Sequence, residues 1–289
     1  MRIANLDGRA VLITDGPDGT TAIDVAHASG GRFGPEPRTV FERWDDFRAW
    51  ERDAELSGGE PFDPARLGAP VPDPRQVFAI GLNYRDHADE AKLDYPEHLI
   101  VFTKFASSLA GPNVTVELPS GSVDYETELV VVIGREVYRA DLLTAEAAIA
   151  GYAVGQDYSE RAVQLRGPAP QFSLGKSYPN FAPFGPAVAT ADELADPSAL
   201  RIVATLERAG AGDDGAITLQ DGTTADLIFP VARIIADLSQ IVTLHPGDLI
   251  FTGTPAGVGA PKGLFLKPGD ALTSSIEGLG SMTNRFVGA

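Results

Sequence analysis

The feature that most constrains this chain is a series of apolar runs of strand length, each closed by turn-forming residues. They lie at 77–80, 99–102, 129–133, 152–154, 202–206, 249–252 and 271–276, with Gly, Pro and Asp between them, as in "HPGD" and "KPGD". Helical spacing is sparse here, the better stretches being 145–150 and 231–238. The carboxy-terminal body therefore reads as mostly β. Ahead of it, "MRIANLDGRAVLI" reads as two short strands around an Asp7-Gly8 hairpin turn. "TVFERWDDFRAWERDAEL" then has helical apolar spacing at Val40, Phe41, Trp44, Phe47 and Trp50. A Gly- and Pro-rich loop at 57–74 separates the two parts, which gives a small N-terminal α+β domain over 1–70 and a larger domain over 71–289.

One run carries charge at its head. In "VDYETELVVVIGR", Glu126 and Glu128 stand one residue apart just before a wholly aliphatic segment. Side chains alternate along a strand, so both carboxylates face the same way. Two like charges side by side repel, and burying either alone is costly, so a cation is expected between them. Asp157 in "GYAVGQDYSERAVQ" follows another strand-like run and offers a third carboxylate. Three carboxylates without His or Cys suit Mg²⁺, Mn²⁺ or Ca²⁺. The competing reading is an exposed edge strand with solvated acids, and spacing alone does not bring Asp157 to the pair.

Other chemistries lose ground. The formal net charge of -17 argues against binding nucleic acid or an anionic membrane. There is no cysteine, which removes disulfides, thiolate zinc sites and cysteine nucleophiles. The amino terminus has neither a signal-peptide core nor a membrane span, so a cytoplasmic enzyme is expected. "FSLGKSYP" lacks the first glycine of a P-loop, and "TGTPAGVGAPKG" has Lys262 where a dinucleotide fingerprint needs its third glycine. No serine-hydrolase elbow or zinc-protease motif is present.

"IGLNYRDHADE", "VFTKFASSLAG", "VDYETELVVVIGR", "GYAVGQDYSERAVQ", "LGKSYPNFAPFGP" and "LHPGDLIFTGTPAGVG" occur in the order and approximate spacing of the fumarylacetoacetate hydrolase family. The chain resembles that family from about residue 77 to its end. The resemblance implies a mainly β fold with some α, a mixed β-sheet roll forming the body. It implies that Glu126, Glu128 and Asp157 bind a divalent ion, usually Mg²⁺. In "NYRDHADE", His87 and Glu90 would share a helix face. A carboxylate beside an imidazole fixes its tautomer and stabilises its cation, and similar proteins use these positions as a water-activating dyad. Lys176 in "LGKS" is placed to stabilise an oxyanion, with Gln164 as a neutral donor. Three carboxylates and one dication leave a net negative centre, so Lys104, Arg161 and Thr254, all in family motifs, are candidates for binding the substrate.

Hydrolysis of a carbon–carbon bond in an acylpyruvate-like 2,4-diketo acid is the implied reaction, in aromatic- or sugar-acid catabolism. The alternatives are oxaloacetate decarboxylation, isomerisation of an unsaturated 2-oxo diacid, and, from another class, a non-catalytic binding protein. Departures from the family pattern fall at Tyr158, Pro179 and Asn180, and bear on specificity rather than on the metal residues. His27, His98 and His245 have no catalytic context. The resemblance also implies a homodimer, for which "DLIFPVARIIADL" offers candidate apolar surface.

Overall fold

The computed structural model describes residues 1–16, 19–119, 122–210 and 215–289. At its centre lies the strand Thr127–Ile133, buried along its whole length. It is hydrogen-bonded on one edge to Ile149–Gln156 and on the other to Leu249–Phe251. Leu129, Val131 and Ile133 enter one hydrophobic cluster, and Val130 and Val132 enter another. A strand covered on both faces must be apolar on both. That accounts for the unbroken aliphatic run and rules out the edge-strand reading.

The main sheet has twelve strands. From edge to edge it runs Glu60–Pro61, Gly19–Asp24, Arg9–Gly16, Arg2–Leu6, Ala182–Ala189, Ile149–Gln156, Thr127–Ile133, Leu249–Phe251, Val77–Gly81 and Ile100–Thr103, with two short strands off this path. Most pairings are antiparallel, and Leu249–Phe251 runs parallel to Val77–Gly81. A second, five-stranded sheet holds Ile217–Thr223, Arg201–Glu207, Ala271–Ile276, Gly280–Gly288 and Thr115–Leu118. Tyr125, Tyr158, Phe181, Leu206 and Phe286 form a separate buried cluster. The mainly β fold read from the sequence is present. Asp7 and Gly8 both have positive φ, at 52° and 82°, as the first hairpin requires. Arg2 and Ile3 pair with Ala189 and Val188, so the amino-terminal strands extend the body's own sheet.

Three local expectations are corrected. The apolar spacing from Val40 to Trp50 belongs to two helices, Pro37–Glu42 and Trp44–Asp53, because Arg43 leaves helical geometry at φ -122°, ψ 39°. The break lets Val40, Phe41, Trp44 and Phe47 all enter one cluster, Phe41 stacking on Trp44 at 5.9 Å. The helical stretch at 145–150 ends earlier: Leu142–Ala147 is helix, capped by Asp141, and Ile149 already pairs with Ile133. In "DLIFPVARIIADL", Leu227, Phe229, Ile234, Ile235 and Leu238 are buried in one cluster with Leu129, Val131 and Ile133, so most of this segment is core rather than free apolar surface, while Ile228 and Val231 stay partly exposed. Among the described residues no helix is long and apolar enough to cross a membrane.

Candidate active site

The register between the two central strands assembles the acidic centre. Thr127 pairs with Gln156, and one step further the Asp157 amide donates to the Glu126 carbonyl at 2.9 Å. Asp157 is thereby fixed opposite Glu126, which the sequence spacing alone could not establish. One carboxylate oxygen from each of Glu126, Glu128 and Asp157 lies within 4.8 Å of the others, and all three residues are buried.

Three cations converge on them. Lys176 Nζ donates to Glu126 Oε2 and Asp157 Oδ2, both at 2.6 Å. Arg161 Nη2 donates to Glu126 Oε1 at 2.7 Å, and its Nη1 to Gln164 Oε1 at 2.8 Å. With its oxygen so engaged, Gln164 keeps its amide nitrogen as a donor, and the residue lines the cavity. Lys104 is buried and donates to Asp157 Oδ1 and to the Lys176 carbonyl. It is not among the residues that line the cavity, and its contacts brace Asp157 and Lys176.

Asp124 belongs to the site and was missed. It is fully buried, and its Oδ2 accepts from Arg161 Nε at 2.9 Å, Arg161 Nη2 at 2.6 Å and the Ala260 amide at 2.9 Å. Its Oδ1 accepts from the amides of Tyr125 and Gly259. The signal was available: 124, 126 and 128 are acidic at every second residue, and the pattern is D-x-E-x-E.

The charges decide what the centre can hold. Burial opposes ionisation of Glu126 most strongly, yet Lys176 and Arg161 together overturn this and hold the carboxyl at about 2. Glu128 is different. Burial first, then the neighbouring Asp157 and Glu126, push it well above the usual carboxylate range, and among the described residues its only donor is the Gly253 amide at 2.9 Å. With all four carboxylates ionised, three cations leave one negative charge, and a dication would turn this to one positive. Hard oxygen donors with a deficit at Glu128 fit a divalent ion of the Mg²⁺, Mn²⁺ or Ca²⁺ kind.

A cavity of about 200 Å³ opens over Glu126 and Glu128 and is lined by these two, Arg161, Gln164, Lys176 and Thr254 among others, with Asp157 buried behind them. The Thr254 hydroxyl donates to the Thr127 carbonyl at 2.9 Å and accepts from Gln220 at 2.8 Å. His87 also lines the cavity, from the helix Arg85–Ala91. Its Nδ1 is buried without a hydrogen-bond partner, 4.0 Å from Glu90 Oε2. Glu90 is held in turn by the Gly257 amide at 2.9 Å and by Lys262 at 3.3 Å. The structure thus places His87 and Glu90 on one helix face, with His87 on the wall of the cavity that Glu126 and Glu128 also line. The remaining histidines do not line this cavity.

The family model described as fumarylacetoacetate (FAA) hydrolase C-terminal matches residues 76–287. The chain belongs to the fumarylacetoacetate hydrolase family. It is 42% identical over 223 residues, 76% of this chain and 68% of the relative, to human mitochondrial oxaloacetate tautomerase FAHD2A. A crystal structure from Mycobacterium smegmatis, provisionally described as an HpcE protein, is 50% identical with a TM-score of 0.91 over 100% of both chains. Maleylpyruvate hydrolase from Sphingobium sp. SYK-6, in complex with manganese (II) ion and pyruvate, is 28% identical with a TM-score of 0.79, again over 100% of both chains. The family thus includes hydrolases and tautomerases on one scaffold.

Proposed function

We propose that this member of the family hydrolyses the C3–C4 bond of an acylpyruvate-like 2,4-diketo acid in a divalent-metal-dependent reaction. The observation that carries the reading is a single cavity lined both by Glu126 and Glu128, two of the three clustered carboxylates, and by a histidine with a carboxylate behind it. Glu126, Glu128 and Asp157 would hold the ion, Mg²⁺ or alternatively Mn²⁺ or Ca²⁺, which when bound supplies a Lewis acid for the carboxylate and 2-oxo oxygens of the substrate.

The chain's own residues do the rest. His87 takes a proton from water as the water oxygen bonds to C4, and Glu90 stabilises the imidazolium that results. The oxyanion at C4 falls within reach of the Gln164 amide and the Lys176 ammonium, which are already oriented by Arg161 and by the triad. When the C3–C4 bond breaks, its electron pair passes to C3, and His87 returns the proton there. The products are pyruvate and a carboxylic acid, with all atoms accounted for. Lys104 acts from below as a positioning group.

Proton exchange at C3 of oxaloacetate is the second reading, favoured by the 42% identity to an oxaloacetate tautomerase. Decarboxylation of oxaloacetate, or isomerisation of an unsaturated 2-oxo diacid, would draw on the same enolate stabilisation. One screen with and without Mg²⁺ separates them. Acylpyruvates should yield pyruvate and a second acid in equal amounts. Enol decay of oxaloacetate without loss of CO₂, together with no pyruvate from any acylpyruvate, would replace hydrolysis by tautomerisation.

A further inference from the structure

The cavity over Glu126 and Glu128 has two unlike parts. Its charged groups gather at the metal-binding end. Much of the remaining wall is carbon: Ile100 and Phe102 from the edge strand Ile100–Thr103, Phe172 from the short helix Phe172–Gly175, and Leu93 just beyond the helix that carries His87. The wall is a packed structure. Phe102 and Phe172 meet edge to face at 5.7 Å, and the Thr103 amide donates to Ser173 Oγ at 3.3 Å. Lys176 Nζ lies 4.9 Å from the Phe102 ring, which marks where charge gives way to carbon. Ile100, two residues along the same strand face, continues the wall outward. Leu93 and Ile100 remain 55% and 40% exposed, so their apolar surface is left for a ligand to cover.

We infer that the acid bound here carries one carboxylate, at the metal end, and that its far end is an uncharged alkyl or aryl group packed on Ile100, Phe102, Phe172 and Leu93. The inference rests on the reading of the cavity as a 2-oxo acid site and adds the class of acyl group. Charge supports it independently of shape. With a dication the centre stands at one positive charge, which one substrate carboxylate neutralises. A second carboxylate would lie against carbon, and both cations lining the cavity, Arg161 and Lys176, already bind two carboxylates each. Among the described lining residues there is no further lysine or arginine. A charge buried without a partner is strongly disfavoured.

Calorimetry with two uncleavable acids at saturating Mg²⁺ tests this. 5-Methyl-2-oxohexanoate and 2-oxoglutarate share a head group and differ in a terminal isopropyl against a carboxylate of similar shape. The apolar acid should bind about 10- to 100-fold more tightly. Equal affinity, or a preference for 2-oxoglutarate, overturns the inference. Ile100→Lys supplies the missing cation and should narrow the preference at least about fivefold; if it widens or keeps the gap, the far group does not lie on this wall. A retained preference without cleavage of any acylpyruvate would sink hydrolysis alone. Binding of neither acid would overturn both.

Discussion

Asp124→Asn is the substitution whose consequence the structure specifies most closely. The Asp124 carboxylate is fully buried and takes five hydrogen bonds, three of them on Oδ2. Asparagine can keep the amides of Tyr125 and Gly259 on its oxygen. It then presents an NH₂ group to Arg161 Nε, Arg161 Nη2 and the Ala260 amide, all donors. Three charge-assisted bonds are lost, two of them from the guanidinium, and that largely buried guanidinium keeps one carboxylate of two. Breaking a buried pair in this way costs about 3–5 kcal/mol, a large share of the roughly 5–15 kcal/mol that separates a folded domain from its unfolded state. Urea unfolding with linear extrapolation measures the loss. Arg161, released to Glu126 alone, should also compete with a divalent ion, so Mg²⁺ affinity should fall in the same variant. A stability loss below about 1 kcal/mol would show that Asp124 is not what holds Arg161.

Removal of divalent ions by EDTA should abolish activity, with Mg²⁺ or Mn²⁺ restoring it, and Glu126→Gln and Glu128→Gln should each weaken Mg²⁺ binding in calorimetry; unchanged affinity in both would remove them from the site. His87→Ala should lower kcat by roughly 10²–10⁴-fold with Mg²⁺ affinity kept, as steady-state kinetics will show. Burial, followed by neighbouring Asp226, raises the Asp86 carboxyl above its ordinary value. A folded-state value above the unfolded one means that its stabilising effect is full below the unfolded value and is lost as pH rises through the folded value. Asp86→Asn should therefore gain in Tm relative to wild type as pH rises from 4 to 8, and a constant difference would refute this. We expect a homodimer, with Tyr138, Leu142, Leu143 and Ile241, all more than half exposed, as the apolar surface that could support it. Light scattering should give twice the 30.5 kDa chain mass, and a monomer at micromolar concentration would refute it.

Much of the carboxylate triad was legible because a strand puts alternate residues on one face, so Glu126 and Glu128 could be paired from spacing alone. Asp157 could not, since its position depends on the register of a second strand that only the fold supplies. Lys104 shows the opposite limit: its motif gives its neighbourhood, but whether its ammonium faces ligand or protein is set by packing under Asp157. In the fold, Ala182–Ala189 escaped notice because Pro183, Gly185 and Pro186 argue against a strand, although it lies between Arg2–Leu6 and Ile149–Gln156. The helix break at Arg43 was hidden for another reason. Two short helices that bury the same face preserve the apolar spacing of one long helix.

The loop "TGTPAGVG", unfit to bind a dinucleotide, serves the carboxylates instead. Its backbone amides at Gly253, Gly257 and Gly259 donate to Glu128, Glu90 and Asp124, reaching the triad, the carboxylate behind His87 and the anchor of Arg161. Gly253 and Gly257 have φ of 99° and 106°, a region that side chains rarely adopt. A Cβ on Gly257 would also come within 2.1 Å of the Leu219 carbonyl, and one on Gly253 within 2.9 Å of Asn83 Cβ. Amide donors orient a carboxylate without adding a cation that would compete for its charge, so Glu128 is held in place yet left short of positive charge. A lysine in the same position would satisfy Glu128 and remove the reason for a metal to bind. The glycines let the backbone come close enough to do the orienting, and the unmet charge that remains at Glu128 is what a divalent ion would satisfy.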